Sequence, residues 1–84
     1  MRESCLDCVR KHLAQAIILL TEAKLGHPEL FWIAIGHLAE AEAESVKQYW
    51  AIAIKIRHER HKVTDNEEYD LEGLFDFIDE TISG

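Results

Sequence analysis

Apolar residues recur along this chain at the three- and four-residue spacing of amphipathic helices, not at the alternate positions of strands. In the first such stretch, over about residues 5–25, the apolar positions fall on one broad helical face. Ser4 and Asp7 can cap the free backbone N–H groups at its start. The pattern predicts a first helix with one buried side, formed by Cys5, Val9, Leu13, Ala16, Ile17, Leu20 and Ala23.

The segment that follows carries a helix stop and a helix start. Gly26 suits the left-handed position just after a helix, and Pro28 suits the first turn of a new one. So short a connection predicts two neighbouring antiparallel helices.

Residues 29–62 contain no proline and a single glycine, Gly36. We therefore expect one uninterrupted helix of roughly 34 residues, about 50 Å long at 1.5 Å per residue. This second helix would be much longer than the first and would extend past it by several turns.

The predicted long helix has two apolar seams, which are rows of residues at alternating three- and four-residue steps. The first seam, which Glu42 interrupts, comprises Phe31, Ile35, Leu38, Ser45, Tyr49, Ile52 and Ile56. The second seam comprises Trp32, Gly36, Ala39, Ala43, Val46 and Trp50. Because the first helix can cover only one seam, the second predicts a homo-oligomer interface, where small residues let another helix approach closely. The alternative is that the C-terminal helix covers it within the same chain.

A polar, non-periodic linker is expected over residues 64–70, followed by a short amphipathic helix over about 71–82. The apolar positions of that helix are Leu71, Leu74, Phe75, Ile78 and Ile82. It can fold back on the longer helix or lie on a neighbouring protomer. The expected fold class is all-α: one domain over residues 1–84, built as an antiparallel helical hairpin with a short third helix, in an oligomer.

Size and charge narrow the function classes. The chain has 84 residues and a formal net charge of −7, which argues against general binding of nucleic acid or of anionic membranes. It has no apolar run long enough to span a bilayer and no signal-peptide pattern, so we expect a cytoplasmic protein. Two cysteines three residues apart do not make the disulfide framework of a small secreted domain.

Charge is distributed unevenly, however. All eight acidic residues after residue 64 lie in a stretch without lysine or arginine, which leaves residues 1–64 with a net charge of +1. In a hairpin, the basic end of the second helix meets the start of the first and forms a positive pole. The residues expected to bind an anion there are Arg2, Arg10, Lys11, Lys55, Arg57 and Arg60, with Tyr49 and Trp50 as stacking surfaces.

These residues favour a non-enzymatic protein that binds or sequesters a small, anionic, nucleotide-like molecule. A second interpretation is that the cations only meet the dipole of a helix C-terminus while the acidic tail neutralises them. A third is a structural interaction module, in which the polar features only specify assembly.

A Cys-x-x-Cys pair and a histidine open the first helix: Cys5, Cys8 and His12. A helix N-terminus lowers thiol pKa values and the spacing lets the sulfurs meet, so the three residues could serve thiol-redox chemistry with His12 as proton acceptor. They could also bind zinc if a ligand such as His37 came from another helix. The third possibility is that the cysteines are small core residues and His12 is a boundary residue.

The string Cys-x-x-Cys-x-x-x-His resembles the redox motif of the alkylhydroperoxidase D-like family, which are all-α proteins with a peroxidatic dithiol. That resemblance implies Cys5 and Cys8 as the redox pair and His12 in the proton relay. The family's acidic relay residue has no counterpart in order here, and the helical pattern places the substitutes His37 and Glu40 on the polar side of the second helix. The longer pattern, with Lys11 before His12 and the later run 36–40, is similar to small helical proteins of phages and other mobile elements.

Overall fold

The computed structural model describes residues 6–65 and 71–83, and within these ranges every regular element is helical. The expected all-α class is confirmed. The elements are α1 (Leu6–Leu25), a 3₁₀ turn (Pro28–Leu30), α2 (Phe31–Val46), α3 (Trp50–Asp65) and α4 (Leu71–Ser83).

The stop and start signals after the first helix act as predicted. Gly26 follows the end of α1 with a φ of 137°, a conformation that side chains disfavour. The backbone N–H of His27 donates to the carbonyl of Glu22 at 3.1 Å, which satisfies one of the last carbonyls of α1. Pro28 then opens the 3₁₀ turn that leads into α2.

The prediction of one long helix over residues 29–62 is wrong. The helix stops at Val46 and a new one starts at Trp50, so α1, with 20 residues, is longer than either α2 or α3, with 16 each. At the break the backbone N–H of Tyr49 donates to the carbonyl of Ser45. The reversal has a physical advantage, because it brings Ile56 and Val63 back onto α2 and buries them, where a straight helix would carry them away from the core.

Helix α2 lies at the centre of the fold, in contact with α1 on one side and α3 on the other, while α4 lies against α1. One continuous apolar core joins all four helices. The expected C-terminal helix is confirmed, and Leu74 and Ile78 are its buried residues. Thr64 and Asp65, expected in a linker, are the last residues of α3; the rest of the expected linker lies outside the described residues.

The two seams that the sequence predicted differ in burial. Members of the first seam, such as Ile35, Leu38 and Ile56, are buried together with Glu42. All six residues of the second seam are exposed, among them Trp32 at 69% and Trp50 at 55% of their full accessible surface. The alternative that the C-terminal helix covers this seam within the chain is therefore wrong for the described residues.

The positive φ of Gly26 leads to a first prediction. Gly26→Ala should lower the free energy of unfolding by about 1–3 kcal/mol, because an added Cβ strains that backbone conformation. Gly36→Ala is the matched control: Gly36 lies on the exposed side of α2, where an added Cβ meets no side chain and no other part of the fold within 4 Å, and the substitution should raise stability by about 0.5–1 kcal/mol. Urea unfolding of dilute protein measures both, and equal effects of the two substitutions would contradict the assignment.

Candidate functional site

The structure divides the predicted positive pole into two parts. Arg57 and Arg60 lie beside α2, whereas Arg10 and Lys55 lie in a groove on the other side of α3. Arg2, also expected at this pole, lies outside the described residues. The part with Arg57 and Arg60 also contains a buried carboxylate that pairs with both arginines.

That carboxylate is Glu42, which is 8% exposed between α2 and α3. The Nε of Arg57 donates to Glu42 Oε2 at 2.9 Å, and the Nη2 of Arg60 donates to Oε1 at 2.9 Å. Burial raises the pKa of Glu42, but the hydrogen bonds and positive charges of Arg57 and Arg60 outweigh it, so the pKa lies below its ordinary value. Both arginines thus have a carboxylate partner within the chain, and through it they connect α3 to α2.

The other part of the pole is a groove of about 320 Å³ between α1, α3 and α4. Three residues that the sequence singled out for anion binding line it together: Arg10, Tyr49 and Lys55. The reversal of the chain after α2 is what brings Tyr49 and Lys55 beside α1. The remaining lining residues are Leu6, Ala51, Ile52, Phe77, Glu80 and Thr81.

Arg10 is the most unusual side chain in this groove. Its Nη1 lies 3.5 Å from the Oδ1 of Asp7, an exposed and weak ion pair. Its Nε is buried, and nothing among the described residues accepts a hydrogen bond from it. Since a buried donor without an acceptor costs free energy, Arg10 has unused capacity to bind an acceptor.

Two other predicted members of the pole, Lys11 and Trp50, are exposed and do not line this groove. Sequence reasoning in turn missed Phe77, Glu80 and Thr81, which α4 contributes. The periodicity of α4 selected Phe75, which is exposed, and Phe77 lies off that apolar face. No local signal identifies Phe77, because its role depends on how α4 lies against α1 and α3.

The Cys-x-x-Cys segment adjoins a pair of histidines. Cys8 is disulfide-bonded in the structure; the chain's other cysteine, Cys5, lies outside the described residues. The Nδ1 atoms of His12 and His37 approach to 3.1 Å, with ring centroids 5.3 Å apart. The placement of His37 on the polar side of its helix is therefore wrong: it is half-buried against α1.

This geometry supplies two of the three or four ligands that a zinc site needs, because the imidazoles of His12 and His37 lie next to each other. However, within residues 6–65 and 71–83, no three His, Cys, Asp or Glu side chains are arranged to hold a metal ion.

A larger groove, of about 490 Å³, lies at the opposite end of the molecule, where Phe31 and Trp32 meet Val63. Its lining includes one cation, Lys24, and, of the residues that the sequence predicted for a binding site or an oligomer interface, only Trp32. The smaller groove, lined by Arg10 and Lys55, is therefore the better candidate for an anion site.

Comparison of the chain with protein-family models, with curated proteins and with solved structures finds no match. No helix among the described residues is long and apolar enough to cross a bilayer. The function must therefore be argued from the residues of the site.

The Glu42 ion pair leads to a second prediction. Glu42→Gln should lower the free energy of unfolding at pH 7 by about 1–3 kcal/mol, because it removes the charge that both arginines neutralise. Since the folded-state pKa is depressed, this stabilisation is complete above the ordinary carboxyl pKa of about 4.3 and is lost as the pH falls further towards the folded-state value.

Urea unfolding of wild type and Glu42→Gln between pH 3 and pH 7 measures this difference. Glu40→Gln, which changes an exposed carboxylate on the same helix, is the control and should have an effect below about 0.5 kcal/mol. A difference between wild type and Glu42→Gln that stayed constant over the whole range would disprove the depressed pKa.

Proposed function

We propose that this protein is a small binding protein, not an enzyme, and that it takes a nucleotide-like organic anion in the groove between α1, α3 and α4. The observation that carries the proposal is Arg10, whose buried Nε has no acceptor among the described residues and whose side chain lines the same groove as Lys55 and Tyr49. A guanidinium and an ammonium group on one groove suit a phosphate or carboxylate group.

The lining supports a particular class of anion. Arg10 and Lys55 supply two positive charges and Glu80 one negative charge, so the groove suits one compact anionic group rather than a polyphosphate or a nucleic acid backbone. The aromatic rings of Tyr49 and Phe77 can contact a planar apolar body such as a base. A volume of about 320 Å³ is at the lower end of the usual range for small-molecule sites.

The second part of the proposal is that the protein acts as a homo-oligomer, with another copy of the chain bound at the part of the second seam that lies on α2, from Trp32 to Val46; Trp50, the sixth residue of that seam, begins α3 instead. Trp32 and Val46 lie at the two ends of an exposed stretch whose other members, Gly36, Ala39 and Ala43, are small. The stretch is self-complementary: in an antiparallel pair centred on Ala39, Trp32 meets Val46 of the partner subunit. Small residues at the centre let the two helices approach closely, while Trp32 fills the space at each end.

A third prediction tests the anion site. Arg10→Gln and Lys55→Gln should each weaken the affinity for adenosine monophosphate at least about tenfold, since a hydrogen bond to a charged group contributes roughly 1.5–3 kcal/mol. Two-dimensional NMR titration measures the affinity and locates the site. Titration with adenosine and with inorganic phosphate separates the contribution of the base from that of the phosphate.

Lys62→Gln is the matched control, because Lys62 is on the same helix as Lys55 but lies 3.8 Å from Glu59, outside the groove. It should leave the affinity unchanged. Chemical-shift changes centred on Arg57 and Arg60, or equal losses for Lys62→Gln and Lys55→Gln, would place the site elsewhere. Equal affinities for adenosine and adenosine monophosphate would show that the groove does not select anions.

A fourth prediction tests the interface. Ala39→Glu should shift the protein towards monomer by at least about tenfold in dissociation constant, because it brings two carboxylates together at the centre of the proposed contact. Sedimentation velocity over a concentration series measures the shift. Gln15→Glu adds the same charge at an exposed position of α1 and should leave association unchanged. Wild-type protein that stays monomeric at millimolar concentration would rule out the interface.

A further inference from the structure

The disulfide-bonded end of α1 holds a group of residues that the anion groove does not use. Cys8 and His12 are one helical turn apart, so their side chains leave the same face of α1 with Cβ atoms about 5–6 Å from each other. His37 reaches His12 from α2. Two neighbouring helices thus place one sulfur and two imidazoles at the same junction.

We propose that His12 and His37 are ligands of a zinc-type divalent metal ion, and that reduction of the disulfide at Cys8 completes the site by adding a thiolate. The Nδ1 atoms lie 3.1 Å apart. Two nitrogens on one tetrahedral zinc ion, each about 2.0–2.1 Å from the metal, are separated by about 3.3 Å. The metal-free pair is therefore close to the ligand spacing, and the two rings need little movement to bind an ion.

In the disulfide-bonded protein the sulfur of Cys8 is not a thiolate, and two imidazoles alone bind a metal weakly. Among the described residues no three His, Cys, Asp or Glu side chains are arranged to hold a metal ion, so the proposal requires Cys8 to become a ligand only after reduction. The redox state of Cys8 then controls the number of protein ligands, because zinc sites usually have three or four of them.

The redox step balances with a dithiol reductant. Its thiolate attacks the disulfide and its second thiol completes the exchange, so that two electrons and two protons pass to the protein sulfurs and the reductant becomes a disulfide. Zinc then binds the sulfur of Cys8 and displaces its proton to solvent. The Cys-x-x-Cys spacing to which Cys8 belongs is common in zinc ligand pairs.

The test compares metal binding by the full chain in its oxidised and phosphine-reduced forms. Competition with a chromophoric chelator gives the zinc affinity, and Co²⁺ serves as a spectroscopic probe of thiolate coordination. The reduced protein should bind one zinc ion per chain at least about 100-fold more tightly than the oxidised protein, and its Co²⁺ form should show thiolate-to-cobalt charge transfer.

Three variants assign the ligands. His12→Ala and His37→Ala should each weaken zinc binding by the reduced protein at least about tenfold, and Cys8→Ser should remove the charge-transfer band. His61→Ala, which changes an exposed histidine of α3, is the matched control and should bind as wild type does. Should an alanine variant fail to fold by circular dichroism, His37→Gln keeps a polar side chain at the position and should give the same loss.

Two results would overturn the proposal. Equal zinc affinity of the oxidised and reduced proteins would show that Cys8 does not complete the site. Wild-type affinity in folded His12 and His37 variants would show that the two histidines form only a hydrogen bond between helices.

Discussion

The ion pair between Glu42 and two arginines is the constraint on which the arrangement of this protein depends. A carboxylate at the junction of two helices is costly to bury unless positive groups reach it, and Arg57 and Arg60 do so from α3 at 2.9 Å. They can reach it only because the chain reverses between Val46 and Trp50. The pair, together with the burial of Ile56 and Val63, therefore favours the reversed chain over a straight helix.

Several other features follow from that reversal. Lys55 and Tyr49 come beside α1 and line the charged groove together with Arg10, whose Nε has no acceptor within the part of the chain that the structure describes. Because α3 covers one side of α2 and α1 another, the row from Trp32 to Val46 is the side that stays exposed. The molecule thus has the charged groove on one side and the exposed row from Trp32 to Val46 on another.

Local signals in the sequence were sufficient for the helix class, for α1, for the Gly26 turn and for α4. Each of these depends on residues within a few positions of one another, such as the glycine and proline around residue 27. The break at residues 47–49 has no such signal, because it contains neither glycine nor proline. What it gains is the burial of Ile56 and Val63, which lie 7 or more residues further along the chain. The same limit applies to the site: Arg10 and Lys55 were identified by charge, whereas the partner of Arg57, the contact of His37 and the contribution of Phe77 depend on tertiary structure.

Helix α4 forms one wall of the groove although it is the shortest of the four α-helices. It provides Phe77, Glu80 and Thr81 to the groove, yet only Leu74 and Ile78 of its described side chains are buried, and its main contact is with α1. The groove is complete only while α4 is docked, so any molecule that fills it binds the docked form preferentially. By thermodynamic linkage, the occupant and α4 stabilise each other, and part of the intrinsic affinity is used to hold the C-terminal helix in place.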